Sequence, residues 1–139
     1  MKPFKQRPFS VTLLTWIVLI MSVSNLVKFV QTTIQWNFLN QILPFSPFYL
    51  LVSGLTWGTV GLVISWGLWR GLDWAPVGMK LFLIVFTLYY WLDRILLNNP
   101  VSRETNQVFV LGLTILLWIW TFWLFARIEV KNFFGVLNE

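Results

Sequence analysis

Gln107–Ala126 reads QVFVLGLTILLWIWTFWLFA, twenty residues without one charged side chain. At ~1.5 Å of rise per residue, a helix of that length spans about 30 Å, the thickness of the bilayer's hydrocarbon core. Three more predominantly apolar stretches have about the same length: Phe9–Val30, Pro47–Trp69 and Pro76–Leu97. All are too long for strands, and an unpaired strand cannot stand in lipid because its peptide groups would find no partner. The sequence therefore predicts an all-α, polytopic membrane protein: an antiparallel four-transmembrane-helix bundle forming a single membrane domain over residues 1–139.

Composition agrees with that reading. Of 139 residues, 58% are hydrophobic and 11% charged, against roughly 25% charged in a soluble domain. Cysteine and histidine are absent, which removes disulfides, thiolate nucleophiles and the usual zinc, copper and haem ligand sets. The five acids, Asp73, Asp93, Glu104, Glu129 and Glu139, are too scattered along the chain to suggest a carboxylate cage. No catalytic residue, metal or cofactor is expected. The net charge of +5 does not point to nucleic acid, because the basic residues cluster at the ends of apolar segments rather than forming a stripe on a soluble surface.

Those basic residues predict orientation. Lys2, Lys5 and Arg7 precede the first span, Arg70 lies between the second and third, and Arg127 and Lys131 follow the fourth. Lys80 can snorkel to the same side. Lys28, Arg94 and Arg103 fall on the other, and seven against three places both termini in the cytoplasm. The basic start followed by an apolar run also resembles a signal peptide. Ser22-Val23-Ser24 is a poor cleavage site, however, and the run continues into Asn25 and Lys28, so an uncleaved first helix is expected.

The connections differ in kind. Arg70-Gly71-Leu72-Asp73-Trp74-Ala75-Pro76 reads as a tight hairpin, with Gly71 suited to a left-handed C-cap, Asp73 to a helix N-terminus and Pro76 to a first turn. Asn98–Asn106 is a short polar loop containing Pro100. Both imply antiparallel neighbours. Gln31–Phe45 sets Ile34, Phe38, Leu39 and Ile42 against Gln35, Asn37, Asn40 and Gln41. That is an amphipathic outer segment, either lying on the interface or extending the first helix, with Pro44 and Pro47 turning into the second. The tail from Arg127 is expected on the inner interface, and no internal repeat suggests an inverted-repeat transporter.

Two constellations stand out. Gly54, Gly58, Gly61 and Ser65 recur at spacings of four, three and four, a small-residue face that lets another helix approach closely. It could pack within the chain, or against a second copy or a larger membrane complex. Asn25 and Lys28 in the first span, and Tyr89, Tyr90, Asp93 and Arg94 in the third, fall at similar depth. They could form an outward-facing polar pocket with a Lys28–Asp93 pair. The plainer alternative is a set of interfacial charges snorkelling to water beside an aromatic belt. Of the ten tryptophans, those near mid-span, Trp57 and Trp118, could fill volume opposite the glycines. No nucleophile–base set or phosphate loop is present, so enzymatic chemistry is not expected.

Gly67-Leu68-Trp69-Arg70-Gly71-Leu72-Asp73-Trp74-Ala75 resembles the inner hairpin of some uncharacterised small four-helix bacterial integral membrane proteins, in which G-L-x-x-G-x-x-W-A joins two central helices. The resemblance covers nine residues and the general layout. It implies a bacterial cytoplasmic membrane protein and transfers no catalytic residue. Small multidrug exporters share the size and helix count but rely on a glutamate in the first helix, which this chain lacks. The expected role is a non-enzymatic scaffold or accessory subunit, the alternative a small transporter or ligand-binding membrane protein using the polar pocket.

Overall fold

A computed structural model describes residues 7–43, 46–96 and 107–135. The chain is all-helical, with no strand among the described residues. Its elements are α1 (Phe9–Ile34), α2 (Trp36–Ile42), α3 (Pro47–Arg70), α4 (Ala75–Leu96), α5 (Gln107–Ala126) and α6 (Ile128–Phe134). Phe9–Ile34, Pro47–Arg70, Ala75–Ile95 and Val108–Ala126 are each long and apolar enough to cross a membrane. The expected polar loop with Pro100 and Arg103, the basic Lys2 and Lys5, and Pro44 lie outside the described residues. The chain divides into two compact units: Val11–Leu72, and a second made of Met1–Ser10 with Asp73–Glu139.

In the Val11–Leu72 unit, α1 runs one turn beyond Val30, to Ile34. The amphipathic segment expected over residues 31–45 is thereby divided: its first turn belongs to α1, and Trp36–Ile42 forms the separate α2. Gln35 marks the joint with φ −96° and ψ 20°. The helical ladder carries across it, since Gln35 N–H donates to Gln31 O at 2.9 Å and Gln35 O accepts from Leu39 N at 2.9 Å. The joint is a bend rather than a chain break. Ile34, Phe38 and Ile42 remain exposed, as an apolar stripe facing lipid or interface would be.

α3 has clear signals at both ends. Ser46 accepts a hydrogen bond from Phe48 N, and Pro47 occupies the first turn, where its missing N–H costs nothing. At the far end Gly71 adopts φ 66°, ψ 40°. Its N–H donates to Leu68 O at 3.3 Å, and Leu72 N–H donates to Gly67 O at 3.1 Å, the paired bonds of a Schellman cap that only a residue at ease with positive φ supports well. Hydroxyls inside these helices are satisfied by their own backbone: Thr15 bonds Val11 O, Ser22 bonds Val18 O and Ser65 bonds Gly61 O. Internal bonding of this kind removes the cost of burying them.

In the second unit, α4 packs against α5 and α6 folds back onto α5. Ala75, Met79 and Phe82 are buried along α4. Arg127, in extended backbone at φ −66° and ψ 136°, turns the chain out of α5. Val130 and Phe134, one turn apart, are then buried, with Phe134 at 0% exposure and its ring 6.0 Å from Phe125. Gly135, at φ 79°, ends the helix. Over Ile128–Phe134 the tail is a helix docked through two apolar side chains.

Candidate functional site

The small-residue face of α3 meets α1. A Cβ built on Gly54 would lie 2.9 Å from the Asn25 carbonyl oxygen, closer than real Cβ atoms come, and 3.1 Å from Phe29 N, tighter than most do. One built on Gly58 would lie 2.5 Å from Leu26 Cδ2. Gly61 and Ser65 are buried on the same face. Glycine here admits backbone-to-backbone contact, which supplies dispersion where lipid offers no hydrophobic drive. The volume opposite Gly54 and Gly58 is filled by Asn25, Leu26 and Phe29 of α1. Asn25 is part of this seam, and its side-chain amide donates to Met21 O at 2.8 Å within its own helix.

The polar residues fall in both units. Asn25 and Lys28 belong to Val11–Leu72, while Tyr89, Tyr90, Asp93 and Arg94 belong to the second. Lys28 is half-buried, and its backbone carbonyl accepts from Thr32 Oγ1 at 2.8 Å. In the second unit all four residues are half-buried near the end of α4. Arg94 Nη1 donates to Tyr90 Oη one turn earlier, at 3.1 Å, and Tyr89 stands 6.4 Å from the Phe86 ring. That end of α4 thus combines a guanidinium held by a phenol, a neighbouring carboxylate and an aromatic flank, all within a span where ionisable groups are costly.

The aromatic helix α5 is organised along two faces. Toward α4, Trp118 Nε1 donates to Thr87 Oγ1 at 3.1 Å and stacks on Phe122 at 5.6 Å. Away from it, Gly112, Ile115, Leu116, Ile119, Trp120 and Trp123 border an open hollow of about 600 Å³. Nothing lies within 4 Å of where a Gly112 Cβ would be. This notch was not singled out from sequence, although the signal was there: these six positions fall at i, i+3, i+4, i+7, i+8 and i+11, one helix face. At the helix end, the Arg127 guanidinium lies 3.7 Å over the Trp123 ring, a cation–π contact.

Comparison with known protein families, curated proteins and solved structures finds no match to this chain. The structure by itself defines the class: among the described residues, an all-helical chain with four helices long and apolar enough to cross a membrane.

Proposed function

We propose that this chain is a non-enzymatic membrane scaffold or accessory subunit. It forms a four-helix bundle in a bacterial cytoplasmic membrane, both termini inside, and associates through its helices with a second copy or a larger membrane complex. The observation that carries this reading is the notched face of α5. Gly112 opens a hollow bordered by aliphatic and indole side chains, and small residues beside large ones are what a partner helix needs to approach. The glycine face of α3 is a poor rival for that role, because Gly54 and Gly58 already lie against α1. Orientation rests on the bias of lysine and arginine toward one side of the spans.

Gly112→Leu tests the proposal, since it adds bulk at the notch, where nothing lies within 4 Å of the position of a Cβ. In mild detergent the native chain should run as an oligomer or with a companion, and Gly112→Leu should run as a folded monomer. A native chain that is already monomeric and alone, or a variant that associates undiminished, would defeat the reading.

A second reading, a small transporter or ligand-binding membrane protein, draws on the polar end of α4, where Arg94 and Tyr90 are bonded beside Asp93. It predicts that Asp93→Asn abolishes solute uptake into proteoliposomes while association persists; intact uptake in that variant would remove it.

A further inference from the structure

Where α4 begins and α5 ends, the second unit holds a partly open cavity of about 140 Å³. Asp73 and Lys80 line it from the loop and first turns of α4, Phe125 from α5, and Val130, Lys131 and Phe134 from α6. Its charged groups are two ammonium ions and one carboxylate; its apolar lining is Pro76, Val77, Val130 and the rings of Phe125 and Phe134. Lys80 Nζ lies 5.7 Å from the Phe122 ring centre and 6.0 Å from that of Phe125, contacts that steady a cation without neutralising it.

The depth of this cavity follows from the ends of the spans. One candidate span starts at Ala75 and another stops at Ala126, so the cavity sits at a membrane–water boundary whichever way the chain is inserted. Lipid phosphates lie at that level. The exposed face of α4 continues from the cavity through Val77 and Leu81, an apolar track leading into the hydrocarbon. Basic pockets between membrane helices at such a boundary suit phosphorylated headgroups.

We propose that this cavity binds the phosphate of an anionic membrane lipid, with Lys80 and Lys131 as its cationic walls and the acyl chains laid along Val77 and Leu81. The shared chemistry would also admit free phosphate. The apolar lining and the track favour the lipid as the source, since a soluble anion gains nothing from either. Asp73 limits the excess positive charge, so the site suits a singly charged phosphodiester.

Native mass spectrometry of the full chain, released from detergent after incubation with phosphatidylglycerol or phosphatidylcholine, tests this. Phosphatidylglycerol should be retained selectively, and Lys80→Gln/Lys131→Gln should lower its retention by roughly tenfold or more, given about 1 kcal/mol per basic residue near a membrane surface. Asp73→Asn, which leaves both lysines in place, should raise retention and serves if the double variant folds poorly. Equal retention of the two lipids by the native chain, or no change in either variant, would overturn the proposal. So would displacement of phosphatidylglycerol by an equal concentration of inorganic phosphate, which would assign the cavity to a water-soluble anion.

Discussion

In the Val11–Leu72 unit, α3 reaches α1 at the level of the backbone, with Gly54 over the Asn25 carbonyl. In the second unit, α4 and α5 meet through large side chains, with Trp118 hydrogen-bonded to Thr87 and Lys80 lying over Phe122. Both contacts answer the same difficulty: lipid tails are as apolar as leucine, so helices gain nothing by hiding apolar surface from them. The first draws its stability from many short backbone contacts. The second relies on rings and one polar link. A backbone seam should therefore fail on the addition of a single methyl group. A ring-filled contact should lose only what each side chain supplies.

That contrast is best broken at Gly54. Gly54→Ala must push α1 and α3 apart, and overpacking of this kind costs about 1–3 kcal/mol. Gly58→Ala meets Cδ2 and Cγ of Leu26 at 2.5 and 2.6 Å, with Leu26 N at 3.3 Å; the side chain can turn aside for about 0.5–1.5 kcal/mol. Reversible unfolding in mixed micelles should rank the two in that order, and equal or negligible losses would mean the helices are not in such close contact. Gly112→Ala, with nothing of its own chain near the new Cβ, should have the opposite sign in the dissociated monomer, stabilising α5 by about 0.5–1 kcal/mol through helix propensity. Destabilisation of that monomer would place another part of the same chain at the notch. The smallest effect is expected from Trp118→Phe, which keeps the stack on Phe122 but loses the bond to Thr87. Interhelical bonds in membranes average about 0.6 kcal/mol. A double-mutant cycle with Thr87→Val should return that value as its coupling, and zero coupling would reduce the bond to an incidental contact.

The four long helices were legible because length and apolarity in lipid leave few alternatives, and Gly71 was legible because a glycine after an apolar run is suited to a left-handed cap. Gln35 was not, since neither proline nor glycine marks the bend and the ladder crosses it nearly intact. The docking of α6 was also missed. Val130 and Phe134 one turn apart, with Gly135 behind them, carry the signal, but a stretch of seven residues has too few turns for periodicity to stand out. For the candidate site, the spacing of Gly54 and Gly58 identified a close-packing face without naming what would cover it. Which helix meets that face depends on rotations about the helix axes, and these are set by tertiary contacts such as Leu26 against Gly58. Asn25 shows the same gap: its residue type suggested a polar pocket, while its amide is engaged by Met21 O in its own helix.

The seam between α1 and α3 also constrains how this chain can diverge. Position 54 faces main-chain atoms, which no change elsewhere in the sequence can shrink, so descendants should keep glycine there or rebuild the pair of helices. Position 58 faces the side chain of residue 26, so those two sites can exchange volume, a smaller residue at 26 permitting a larger one at 58. A lineage of such chains would carry one invariant letter at position 54 and, four residues further along α3, a position that varies together with residue 26 of α1.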